Sequence, residues 1–153
     1  MDKKRRDMIR IGSALSMAFA AGILKVGDVF GAEWSPKVFD AKSLDAVLKE
    51  LGGDKFAVSP DITITAPEIA ENGAVVPVAI STTLPKTEYM AILVEKNPSA
   101  MSASFNIPPG TEPNISTRVK MGTTSNVIAL IKSDGKWLTA SKEIKVTLGG
   151  CGG

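Results

Sequence analysis

The chain has 153 residues, with 18 Lys and Arg against 16 Asp and Glu, no His and a single Cys. Without His it lacks the commonest general base and metal ligand, and one Cys makes neither an internal disulfide nor a zinc knuckle; His-dependent triads and zinc sites built on His or paired Cys are excluded. Six bases and three acids fall in the first 31 residues, which leaves 12 bases and 13 acids beyond them, a net charge of −1 with no basic patch suited to nucleic acid.

Residues 1–31 read as an export signal. Lys3, Lys4, Arg5 and Arg6 precede an apolar run from Ile11 to Leu24, broken only by small residues. That run falls short of the ~20 apolar residues needed to span a bilayer and matches the length of a signal-peptide core, which sets cleavage above the alternative of a retained anchor. Val29 and Gly31 suit cleavage after Gly31; cleavage after Ala32 places the larger Phe30 at the critical third position. The Arg5-Arg6 pair resembles a twin-arginine signal, although Lys4 stands where Ser or Thr is usual and Met8 where Phe is usual. The expected location is the periplasm, with no membrane attachment after cleavage.

Ser43 to Gly53 carries the convincing helix, centred on about 43–51. Leu44, Val47, Leu48 and Leu51 repeat at i, i+3, i+4 and i+7 and form one apolar stripe. Ser43 is placed to cap its start and Gly52 to end it in a left-handed turn, while Asp45 and Lys49 suit the helix dipole and each other. Trp34 and Phe39, just before it, read as packing residues. From Asp61 the apolar period changes to two. Ile62, Ile64 and Ala66 mark a strand that Pro67 ends, and Glu71-Asn72-Gly73 forms a turn. Val76, Val78 and Ile80 mark a second strand, in which Pro77 implies an edge position, a bulge, or pairing that begins beyond it.

After a turn at Leu84-Pro85-Lys86, Tyr89 to Glu95 is apolar on both faces. Asn97-Pro98 breaks it. Met101, Ala103, Phe105 and Ile107 suggest one face of a weaker strand, another candidate edge, closed by Pro108-Pro109-Gly110-Thr111. Ile115, Thr117, Val119 and Met121 line the next strand, and Val127 to Ile131 form a continuous apolar run. Asp134-Gly135 is a strong hairpin signal leading into a last strand from about Trp137 to Leu148. Seven short strands separated by Pro, Gly and Asn turns predict a mainly β protein, an immunoglobulin-like antiparallel β-sandwich over residues 32–148 with a short N-terminal helix. With no disulfide, its core rests on apolar burial.

The chemistry concentrates after that sandwich, in a flexible carrier arm of residues 149–153. Cys151 is flanked by Gly149 and Gly150 on one side and Gly152 and Gly153 on the other. Glycine imposes no fixed backbone conformation, so the sulfur can enter another protein's pocket. No neighbour supplies a charge or a helix N-terminus, and the thiol pKa is expected near the free value of roughly 8.5. This describes a carried thiol that partners deprotonate, and it argues against a self-sufficient catalytic cysteine. A tail cysteine without a role and a chemist's label site are the bland alternatives; an unpaired thiol sent to an oxidising compartment is a liability unless used. Asp61, Glu68, Glu71 and Glu88 show no spacing suited to paired acid–base work, and Gly122-Thr123-Thr124-Ser125 opens no helix and so makes no phosphate loop. No catalytic residue, metal ligand or cofactor is expected.

The exported leader, the strand-rich body and Gly149-Gly150-Cys151-Gly152-Gly153 together resemble the SoxY family, the sulfur carriers of the periplasmic Sox sulfur-oxidation system. The resemblance implies a non-enzymatic carrier that holds the intermediates of thiosulfate oxidation on Cys151. It implies a heterodimer with a SoxZ-like β-sandwich subunit, a c-type cytochrome that loads thiosulfate, a hydrolase that releases sulfate, and a sulfane dehydrogenase that oxidises what remains. The competing reading is an exported β-sandwich binding module whose Cys151 forms an intermolecular disulfide. A thiol oxidoreductase fits poorly, because there is no second, resolving cysteine.

Overall fold

Two strands with apolar side chains on both faces decide the architecture. The computed structural model describes residues 35–147; the leader, Trp34 and the segment from Leu148 through the arm lie outside them. β1 (Phe56–Val58), β2 (Ile62–Thr65), β3 (Ile69–Ala70), β4 (Val76–Thr82), β5 (Thr87–Val94), β6 (Met101–Asn106), β7 (Asn114–Val119), β8 (Ser125–Ser133) and β9 (Lys136–Val146) follow two short helices, α1 (Pro36–Asp40) and α2 (Leu44–Glu50). The larger sheet runs β1-β9-β8-β5-β6, with β3 also on β9; the smaller runs β2-β4-β7. On one face of the larger sheet, Met90, Ile92 and Val94 of β5 and Val127, Ala129 and Ile131 of β8 meet Ile62, Val78, Ile80 and Val119 of the smaller sheet. On the other, Ala91, Leu93, Ile128 and Leu130 meet Val38, Val47 and Leu48 of the helices. A strand covered on both sides has no polar face to show, which is why β5 and the middle of β8 lack alternation.

The local chemistry follows the expected rules. Ser43 Oγ accepts a hydrogen bond from Ala46 N at 3.2 Å, and Gly52 takes a φ of +73° just beyond the helix. Val47 and Leu48 are fully buried, with Leu44, Leu51 and Phe39 packed around them. The Asp45–Lys49 ion pair that the spacing allows is not made; among the described residues the ion pairs are Lys86–Asp134 and Lys132–Glu88. Pro109 and Gly110 (φ +84°) turn the chain with Thr111 N donating to Pro108 O at 3.1 Å. Asp134 and Gly135 both have positive φ, 48° and 74°, and Ser133 pairs with Lys136, which makes the two-residue hairpin expected for that dipeptide.

Four details differ from the strand pattern. Among the described residues there are nine strands, not seven. β1 and β3 are too short to show any periodicity, and both run parallel to β9, so the sandwich is not wholly antiparallel. Pro36 opens an extra helical turn, α1, as Pro readily does at a first helical position. Of the options for Pro77, the edge position is excluded and late pairing is found: it lies in the middle strand of the smaller sheet and faces Arg118 on the β7 side, while pairing with β2 begins two residues beyond it, at Ala79. Met101 does not share a face with Ala103. Ala103 pairs with Ile92 and Met101 with Leu93, so Ser102 is an extra residue, and this bulge turns Met101 toward the helices. β6 is an edge strand, as its weak pattern suggested.

Candidate functional site

Arg5 and Arg6 of the leader, and Gly149, Gly150, Cys151, Gly152 and Gly153 of the arm, all lie outside the described residues. The structure describes β9 and the chain as far as Thr147, four residues before Cys151. β9 is held there from two directions. On its free edge, Lys145 N donates to Glu68 O at 2.9 Å and Thr147 N to Ala70 O at 3.1 Å. On the other side, Val146 N donates to Thr124 Oγ1 at 3.0 Å. These bonds continue the strand's satisfaction past its last ladder pair with β8, Ser125 with Ile144.

A glycine makes this junction possible. Gly73 O accepts from Met121 N at 2.6 Å, which ties the turn after β3 to the chain leaving β7. A Cβ at Gly73 would lie 2.4 Å from Met121 O and 2.9 Å from Val146 Cγ1. No side chain fits in that space, and the contact seats the turn against the end of β9. Asn72 holds the turn itself, its Oδ1 accepting from Ala74 N at 2.9 Å. Asn97, beyond β5, braces the same end, its Nδ2 donating to Lys120 O at 2.7 Å.

The other sequence candidates have structural duties. Ser59 Oγ donates to the Asp61 carboxylate at 3.3 Å within a local turn, and Glu88 pairs with Lys132 at 3.5 Å. In Gly122-Thr123-Thr124-Ser125, Thr124 anchors β9 and Ser125 Oγ accepts from Lys96 N at 3.0 Å. Burial pushes the Tyr89 hydroxyl above its usual pKa, opposed by a hydrogen bond with Ser104. Among the described residues no cluster of acids could hold a metal ion, and no helix is long and apolar enough to cross a membrane.

A shallow groove of about 700 Å³ opens at the opposite end of β9, beside Lys55, Phe56, Lys132, Lys136 and Trp137. Trp137 stands edge-on to Tyr89, ring centres 5.7 Å apart, with Lys132 Nζ 5.8 Å from its ring centre. Ten residues of strand separate Trp137 from Thr147, roughly 33 Å at strand rise, so the four residues that lead to Cys151 cannot reach it. The part of the site that the sequence did not reveal is the turn from Glu68 to Val75. Its function as an anchor depends on contacts with residues 121, 124 and 145–147, and only the Glu71-Asn72-Gly73 turn signal marked it.

The chain matches the family described as sulfur oxidation protein SoxY over residues 48–151. It is similar to the solved structure of the sulfur carrier protein SoxY from Chlorobium limicola f thiosulfatophilum, at 39% identity and a TM-score of 0.62, over 68% of this chain and 94% of that one. Superoxide reductase (neelaredoxin) from Ignicoccus hospitalis is similar at 21% identity and a TM-score of 0.51, over 56% of this chain and 80% of that one, which shows a shared fold and nothing further. No curated protein matches the chain.

Proposed function

The chain belongs to the SoxY family and is a sulfur carrier of sulfur oxidation; on that premise we propose that it carries the intermediates of thiosulfate oxidation covalently on Cys151, at the end of a glycine arm. The observation that carries this reading is the span of the family match, residues 48–151, which takes in both the anchored end of β9 and the cysteine. The last described residue before the arm, Thr147, is tied to the fold by its N–H, which donates to Ala70 O.

The chemistry asks little of the carrier and much of its partners. Loading joins the outer sulfur of thiosulfate to the Cys151 sulfur. The S–H bond is lost, an S–S bond forms, a proton leaves, and an electron pair passes to a c-type cytochrome. Hydrolysis then splits the bond between the terminal sulfone and the next sulfur. Water supplies OH to the released sulfate and H to the persulfide that stays on the chain. A sulfane dehydrogenase then oxidises the remaining sulfur: three waters supply the oxygens of a cysteine-bound sulfonate, seven protons leave, and six electrons pass to a cytochrome acceptor. A free cysteine is mostly the protonated thiol at neutral pH, so deprotonation falls to the loading enzyme. Tethering prevents a reactive intermediate from diffusing away and keeps its local concentration high wherever the carrier docks. The chain itself acts as substrate-bearing subunit and not as an enzyme, in the periplasm, beside a SoxZ-like partner.

Cys151→Ser is the direct test. The variant is expected to fold as the wild type, because it exchanges one sulfur for an oxygen and alters no residue of the described core, and to take up no sulfur when incubated with thiosulfate and the loading cytochrome. Intact mass reads the outcome. Loading that survives the substitution refutes the carrier role. A wild type that yields only a reductant-sensitive dimer supports the disulfide-linked binding module instead.

A further inference from the structure

Among the described residues four large apolar side chains stand open to solvent: Phe56 at 38%, Val58 at 82%, Ile69 at 56% and Val75 at 50%. Two of the four belong to β1, the outermost strand of the larger sheet, all three of whose residues are exposed. Phe56 pairs with Trp137 and Val58 with Thr139, so these two side chains share one face of the sheet. The backbone of β1 is open as well. Ser59 N donates to Thr139 O at 3.0 Å, which points the N–H and C=O of Ser59 at β9. These groups alternate in direction along a strand, so those of Ala57 also face β9 and those of Phe56 and Val58 face away from it. No strand among the described residues pairs on that outer side. Outward donors and acceptors at a sheet edge are a template for one more extended chain.

The groove beside this edge selects the chain. Lys55, Phe56, Lys132, Lys136 and Trp137 line its volume of about 700 Å³, with Asp54 as the one acid. Three lysines to one aspartate make a positive spot on a body that carries 12 bases and 13 acids beyond residue 31. Lys132 is paired with Glu88, and Lys86 with Asp134 at the nearby hairpin, whereas Lys55 and Lys136 form no ion pair among the described residues. We propose that β1 is the docking edge for an extended acidic segment of a partner protein, which adds as a strand beside Phe56 and Val58 and lays carboxylates against Lys55 and Lys136. Apolar residues alternating with those carboxylates pack on the exposed Phe56 and Val58 side chains. A short ladder with a few surface charges gives weak, reversible binding that salt weakens further. The site lies at the far end of β9 from Thr147, and the proposal does not rest on the reading of Cys151.

The test titrates the isotope-labelled mature chain with two blocked hexapeptides, one of alternating Glu and Val and one of alternating Lys and Val. NMR reads the amide signals of Phe56 and Val58 and the indole signal of Trp137. The acidic peptide is expected to shift these signals and to bind about tenfold more tightly than the basic one. Lys55→Glu with Lys136→Glu removes that preference. Val58→Pro deletes an outward N–H while the bonds of Ala57 and Ser59 to β9 stay in place, and it weakens binding about tenfold. The lysine variants keep the test valid even where Val58→Pro disturbs β1. Absence of binding, equal affinity for the two peptides, shifts confined to another surface, or wild-type binding in Val58→Pro overturns the proposal. A wild type that ignores both peptides but self-associates, and is monomeric as Val58→Pro, also overturns it and makes a second copy the occupant. Sulfur loading on Cys151 is a separate readout, so the carrier role stands or falls on its own test.

Discussion

The two ends of β9 are built on opposite principles. At the hairpin end the chain is closed by local chemistry: Asp134 and Gly135 take the left-handed conformations a tight turn needs, and Trp137 lies against Tyr89. At the other end nothing local holds the strand. Val146 and Thr147 are fixed by residues distant in sequence, Ala70, Gly73 and Thr124. A hairpin fixes itself, whereas this end is held by an external clamp, which fixes the chain as far as Thr147, four residues before Cys151.

The largest expected effect is on the arm. Replacing Gly150 and Gly152 with Val widens the chain on both sides of the sulfur and restricts its backbone, so enzymatic loading slows by about tenfold or more while the folded body is unaffected. Steady-state loading reads this, and unchanged turnover would mean that the glycines supply slack alone. Next comes the clamp. Gly73→Ala places a methyl against a backbone carbonyl that cannot swing aside, with a cost of about 1–3 kcal/mol in chemical denaturation and faster amide exchange at Val146 and Thr147. The matching change at the hairpin end is milder. A Cβ at Gly53 meets Trp137 Nε1 at 2.5 Å and Leu48 Cδ1 at 2.6 Å, both side chains able to rotate. Gly53→Ala should cost about 1 kcal/mol, partly offset by the lower entropy of the unfolded chain, and should leave loading unchanged. If Gly53→Ala proves the costlier of the two, the contrast between a self-made and a clamped end fails. Smallest is Lys86→Ala, which removes the ion pair to Asp134 at the hairpin. Both partners are mostly exposed, at 75% and 66%, so stability should change by less than about 0.5 kcal/mol.

What could be read from the sequence was whatever short stretches determine by themselves. Ser43 and Gly52 bound a helix through local hydrogen bonding and a positive φ, Asp134-Gly135 makes a hairpin, and the stretch from Tyr89 to Glu95 shows apolar side chains on both faces. What could not be read depends on residues far apart. β1 and β3 exist because β9 offers a free edge, and neither is long enough to show a period. The bulge at Ser102 serves the helices, which need Met101 on their side. The candidate site divides in the same way. Cys151 stands out among its glycines without any structure, while the clamp appears only when residues 68–73 and 124 are brought to the end of β9.

Intact mass of the exported protein, isolated from cells grown on thiosulfate and compared before and after reductant, tests the central claim most directly. The account predicts a family of sulfur-containing adducts on the peptide that holds Cys151, all removed by reductant. A single unmodified mass, or a simple disulfide dimer alone, would contradict it.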